Sequence, residues 1–74
     1  MYFKRLRDIR EDRNLTQTQI AQFLNMKQQQ YSRYENGTNE IPFEYIIKLA
    51  QFYNVSIDYL ADLTDYSEPY KRKK

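Results

Sequence analysis

The sequence predicts an all-α domain of five short helices, and three observations carry that prediction. Apolar residues recur at helical spacing through most of the chain, and no segment alternates with a period of two. One glycine and two prolines in 74 residues are too few for the turns of an all-β protein. The length fits one domain, near the lower limit for a core that folds without help.

Each element follows from local pattern. Phe3, Leu6 and Ile9 stand at i, i+3 and i+6 and mark the inward stripe of a first helix over about 2–13. Asn14 comes where a left-handed residue closes a helix, and Leu15 is the inward anchor after it. Thr16 is an N-cap with Gln19 at capping-box spacing, and Ile20, Ala21 and Leu24 give a second helix over about 17–24. Asn25 is the next residue suited to positive φ, and Met26 turns inward behind it. A third helix over about 28–35 has Tyr31 and Tyr34 on its inner side and ends at Asn36-Gly37. Pro42 suits the first turn of a fourth helix over about 42–53, the most apolar in the chain, with Phe43, Ile46, Ile47, Leu49, Ala50 and Tyr53. Asn54 is a third left-handed candidate. Ser56 then caps a fifth helix over about 57–63, with Val55 as its staple and Ile57 and Leu60 inward. Leu63 either completes that stripe or joins the exposed aromatics described below. Residues 1–63 form the expected domain, and 64–74, without periodicity, the expected flexible basic tail.

Composition narrows the function. With no cysteine there is no disulfide, thiol nucleophile or thiolate metal site, and with no histidine the commonest acid/base group and metal ligand is missing. Glu11, Asp12, Asp58 and Asp62 lie among arginines or on solvated helix faces rather than in a cluster, so no metal, cofactor or catalytic residue is expected. Apolar runs are far too short to cross a bilayer and no secretory pattern opens the chain, so a cytoplasmic setting without membrane contact is expected. The net charge of +2 hides an uneven layout. Lys4, Arg5, Arg7, Arg10 and Arg13 outweigh Asp8, Glu11 and Asp12. Across 38–70, Lys48 alone faces Glu40, Glu44, Asp58, Asp62, Asp65 and Glu68. Lys71, Arg72, Lys73 and Lys74 restore positive charge. Such a dipolar layout points to one face made for an anionic partner.

The stretch 15–37 holds two short helices joined by about three residues, with small Ala21 allowing close approach, which is a helix-turn-helix arrangement. Its second helix opens with Gln28, Gln29 and Gln30 after Lys27, and Ser32 and Arg33 follow. A glutamine amide bonds an adenine edge in bidentate fashion, and arginine does the same for guanine O6 and N7. By helical spacing Gln28, Gln29, Ser32 and Arg33 share the face opposite Tyr31 and Tyr34 and are expected to read base edges, with Gln30 on the flank.

The segment resembles the Cro-type, lambda-repressor-like helix-turn-helix family of phage and bacterial DNA-binding proteins. The resemblance rests on Leu15-Thr16-Gln17, Ala21, Tyr34-Glu35-Asn36-Gly37, Leu49-Ala50 and Val55-Ser56 in order, over about residues 3–63. It implies a compact five-helix fold and a sequence-specific transcriptional regulator, a repressor, that reads a double-stranded DNA operator as a homodimer. Residue by residue, it implies that Gln28, Gln29 and Arg33 read bases and that Gln17 binds a phosphate and braces Gln28. It also implies that Asn36 lies near the DNA backbone and that Arg10 and Glu35 form a buried salt bridge. Two departures stand out. Lys27 replaces the usual capping serine or threonine and is expected to meet a phosphate instead, and Thr38, Asn39 and Glu40 stand where lysine or arginine is usual, leaving Thr38 and neutral donors for the backbone.

Tyr45, Phe52 and Tyr59 fall off the inward stripes and, with Leu63, form a candidate homodimer surface or ordinary surface scatter. The alternative function is a protein-interaction module, an antitoxin or adaptor, that binds a protein partner through this helix 4–5 surface. The lysine-rich end at 71–74 is a solubilising terminus or a source of non-specific phosphate attraction.

Overall fold

The structure, a computed structural model, describes residues 2–69 and contains five helices in chain order. They are α1 (Arg5–Asp12), α2 (Gln17–Phe23), α3 (Gln28–Glu35), α4 (Phe43–Tyr53) and α5 (Ile57–Leu60), and no strand occurs among the described residues. One apolar core gathers Phe3, Leu6, Ile9, Ile20, Ala21, Leu24, Tyr31, Ile46, Leu49, Ala50, Tyr53, Val55 and Leu60. Leu15, Met26 and Tyr34 pack on its edge. No helix among the described residues is long and apolar enough to cross a membrane.

Four of the five helices end by one device. Asn14, Asn25 and Asn54 take φ of 57°, 59° and 57° as their positions predict, and Asp62, which sequence reasoning passed over, takes 63°. Behind each, the next residue turns inward and its N–H returns to a carbonyl five residues back: Leu15 to Arg10, Met26 to Ala21, Val55 to Ala50 and Leu63 to Asp58. This is the Schellman pattern, which satisfies carbonyls that a helix end otherwise leaves open. At α3 the same reversal falls to Gly37 at φ 85°, where an added Cβ would also meet the Tyr2 ring at 3.0 Å.

Helix starts vary more. Thr16 and Gln19 form the complete capping box expected of them, and Ser56 accepts from the Tyr59 N–H. Lys4, Lys27 and Pro42 supply no side-chain cap.

Several boundaries differ from expectation. α1 begins at Arg5 rather than near residue 2, and Lys4 ahead of it supplies no side-chain cap. Phe3 still buries itself through a turn in which its carbonyl accepts from the Leu6 N–H at 3.1 Å. Pro42 is the residue before α4, extended at ψ 143°, and Ile41 ahead of it is buried although no helical stripe includes it. Phe43 and Ile47 of α4 are exposed. α5 stops at Leu60 rather than 63, so Leu63 lies beyond the Asp62 reversal and is 73% exposed instead of completing the inward stripe.

The supposed aromatic surface is also divided. Tyr45 is half-buried with its ring 6.2 Å from that of Tyr34, and Tyr59 is half-buried under the Arg5 guanidinium at 4.2 Å. Phe52 remains exposed, paired with Phe23 at 4.5 Å.

Thr64, Asp65 and Ser67, beyond the expected domain, are in contact with its body. Arg5 donates to the Thr64 carbonyl at 3.0 Å and to Asp65 at 2.7 Å, and the Ser56 N–H donates to the Ser67 carbonyl. The lysine-rich end at 71–74 lies outside the described residues.

Candidate nucleic-acid interface

The local sequence sets α3 with one face in and one face out. Tyr31 and Glu35, four apart, are buried, while Gln28, Gln29 and Arg33 are exposed on the opposite side, as expected. Ser32 is half-buried and lies at the margin of that face rather than on its crest. Gln30 stands on the flank, where its amide donates to the Tyr34 hydroxyl at 3.2 Å. Lys27 is exposed ahead of the helix, with its ammonium unused as a cap.

The orientation of α3 is fixed from beneath by a buried ion pair. Arg10 is 9% exposed and Glu35 2%. The Arg10 Nε donates to both Glu35 oxygens at 3.2 and 3.0 Å, Nη2 donates to Oε1 at 2.9 Å, and Nη1 donates to the Leu15 carbonyl at 2.7 Å. A forked guanidinium–carboxylate contact of this kind joins α1, the corner after it and α3 with little freedom. Burial alone would raise the Glu35 carboxyl pKa; hydrogen bonds from Arg10 and Gln17 and the Arg10 charge overcome that and hold it below the usual carboxylate range. Beside the pair, burial and the Glu35 charge push the Tyr31 phenol upward, so it stays neutral.

From Glu35 the network runs outward. The Gln17 Nε2 donates to Glu35 Oε1 at 3.2 Å, and the Gln28 Nε2 donates to Gln17 Oε1 at 2.7 Å. The brace between Gln17 and Gln28 is therefore present, and so is the salt bridge between Arg10 and Glu35. The bond from Gln17 to Glu35 that joins them was not anticipated. Nothing in the spacing of residues 17 and 35 signals it, since it depends on how α2 crosses α3.

At the far end of α3, Asn36 and Thr38 form a tight local turn. Asn36 Oδ1 accepts from the Thr38 N–H at 2.9 Å and from its hydroxyl at 2.6 Å. Both Thr38 donors are thus used within the turn, which leaves the Asn36 amide nitrogen as the donor this corner offers outward. A recess of about 210 Å³ opens beside it, lined by Tyr2, Arg7, Gln17, Glu35 and Asn36. Sequence reading did not single out Arg7; as one arginine among several in α1, it carried no signal until the fold brought it to the recess beside Gln17 and Asn36.

A helix presented by a tight corner, polar outward and tied at its first residue to the helix before it, defines a helix-turn-helix unit. The chain belongs to the helix-turn-helix family, whose model matches residues 6–60. It is similar over its whole length to an uncharacterised HTH-type transcriptional regulator, YobD, of Bacillus subtilis, at 35% identity. It is 37% identical over 92% of its length to RstR, a cryptic phage CTXphi transcriptional repressor of Vibrio cholerae. It is 36% identical over 76% of its length to the antitoxin PezA of Streptococcus pneumoniae. The chain spans 66%, 59% and 35% of the lengths of these three relatives. No solved structure matches it significantly.

Proposed function

We propose that the chain is a sequence-specific DNA-binding transcriptional regulator, acting as a repressor in the cytoplasm without catalytic activity or cofactor. α3 enters the major groove of a double-stranded operator. The observation that carries this reading is the exposed row of Gln28, Gln29 and Arg33 on the second helix of the motif, with Gln28 held in place by Gln17. These side chains match the donor and acceptor pattern of base edges, with Ser32 reaching the margin of the contact. Lys27, Gln17 and the Asn36 amide flank the row and meet phosphates, which fix the register of the helix on the duplex. Arg7 adds a cation at the recess beside Gln17 and Asn36. Thr38 serves this corner by orienting Asn36 rather than by donating to a phosphate itself. Two copies on a two-fold operator would read half-sites about one helical turn apart.

Selection from random duplexes tests the reading: one two-fold-related site should be enriched, and replacing Gln28 and Gln29 by alanine should abolish the enrichment while the protein stays folded. Enrichment of no sequence would overturn it.

A second reading has its own support in the similarity to an antitoxin and in the exposed Phe23 and Phe52 rings on the side of α2 and α4. In that reading the domain binds a protein partner there. The Gln28/Gln29 double alanine variant separates the two, since it would lose DNA and keep the partner.

A further inference from the structure

We infer that Glu35, buried beneath α3, decides that Gln28 reads adenine rather than guanine, by fixing the direction of two side-chain amides in series. The inference rests on the reading of α3 as the helix that enters the groove. A carboxylate has acceptors only, so whatever group of Gln17 faces Glu35 must be a donor. The Gln17 Nε2 is that group, at 3.2 Å from Oε1. Its carbonyl oxygen is thereby turned towards Gln28, where it requires a donor in turn, and the Gln28 Nε2 fills that role at 2.7 Å.

One hydrogen of the Gln28 amide is spent on this bond. The other, together with Oε1, remains for a partner outside the protein: one donor beside one acceptor. Adenine offers the complement in the major groove, with N7 accepting and N6 donating. Guanine offers two acceptors, N7 and O6, and would set its O6 against the Gln28 carbonyl.

Reversing the series reverses the preference. With the Gln17 amide turned over, its NH2 would face Gln28, Gln28 would turn its oxygen inward, and two donors would point outward to suit guanine. The Glu35 carboxylate forbids that arrangement because the Gln17 carbonyl would then meet another acceptor. Arg10, through its three bonds to Glu35, keeps the carboxylate charged and stationary. Glu35 is thus a positioning residue for specificity as well as a structural one.

The experiment measures binding to operator duplexes that differ only in A·T or G·C at the pair read by Gln28, identified as the pair whose preference disappears in Gln28→Ala. Three proteins are compared: the unaltered chain, Gln17→Met, and a double variant Arg10→Met with Glu35→Leu that replaces the ion pair by apolar groups of similar size. The unaltered chain should favour A·T about tenfold or more, in keeping with one bidentate contact. In both variants that ratio should fall towards unity, while the preferences at the pairs read by Gln29 and Arg33 stay as they were, whatever happens to total affinity. A purely structural Glu35 would lower affinity or stability and leave the ratio untouched. Retention of the full A·T preference in Gln17→Met, or in a folded double variant, overturns the inference. Should the double variant not fold, Gln17→Met decides alone, because Gln17 lies near the surface and leaves the Arg10–Glu35 pair in place. If Gln28→Ala changes no base preference at all, the groove reading itself fails and takes the inference with it, a result distinct from a preference that survives loss of the series.

Discussion

Arg5 and Arg10 leave the same helix and end in opposite circumstances. Arg10 meets a carboxylate that is 2% exposed, through a forked contact, with a backbone carbonyl accepting from its Nη1. Arg5 reaches Asp62 at 2.9 Å and Asp65 at 2.7 Å, distances just as short, but the Asp65 side chain is 99% exposed. Distance therefore does not separate the two ion pairs; solvent does. Water and salt screen the Arg5 contacts and leave the aspartates free to be solvated, whereas Glu35 has only its protein partners. The buried pair sets geometry, and the exposed one gathers a segment loosely.

The largest expected break in this comparison is Glu35→Ala, which strands the Arg10 charge in the interior and should cost about 3–5 kcal/mol by denaturant unfolding. A loss below about 1 kcal/mol would show that water reaches Arg10 freely and that the contrast with Arg5 is false. The same pair should respond to acid. Its folded carboxyl pKa lies below the ordinary value of 4.5, so its contribution is fully present above that value and is lost as pH falls through the depressed one. Unfolding free energy measured from pH 6 downward should decline below about 4.5, and the decline should be shallower in a folded Arg10→Met/Glu35→Leu variant.

An intermediate point comes from Thr16→Ala. It removes an exposed capping box, leaves both ion pairs alone and should cost about 1 kcal/mol. The smallest effects belong to Arg5. Arg5→Ala should lower the melting temperature only modestly, through loss of the stem and of the guanidinium over Tyr59, and Asp65→Ala should leave it unchanged within error. If Asp65→Ala instead destabilises as much as Thr16→Ala, and the effect vanishes at high salt, the exposed pair contributes more than its solvation allows.

Much of the fold was legible because it is written in short-range signals. Asparagines at 14, 25 and 54 sit just past apolar stripes, and each adopts the left-handed conformation expected of it. Thr16 with Gln19 and Ser56 announced their helices for the same reason, since a cap involves residues only three apart. Asp62 was missed because aspartate is a poorer marker of positive φ than asparagine, and with it went the true end of α5 and the exposure of Leu63. Ile41 was missed because it packs from a non-helical position that no periodicity describes.

At the candidate site, the outward row of α3 followed from spacing, while the pairing of Arg10 with Glu35 followed from family resemblance, not from the pattern of charges. The link from Gln17 to Glu35, the recess at Arg7 and the hold of Arg5 on residues 64 and 65 all join positions 18 or more apart in sequence, or depend on helix crossing. No local rule reports such contacts.

The missing cap at Lys27 has a further consequence, in the motions of the free protein. With no side chain accepting from the first turn of α3, the backbone amides of Gln28, Gln29 and Gln30 stay open to water and should exchange their protons without any opening of the core. The side chain of Gln28, tied to Gln17, anchors that uncapped turn. A phosphate that settles there would accept from those amides, so the ligand itself would cap the helix, visible as slowed exchange at those three amides on binding duplex DNA.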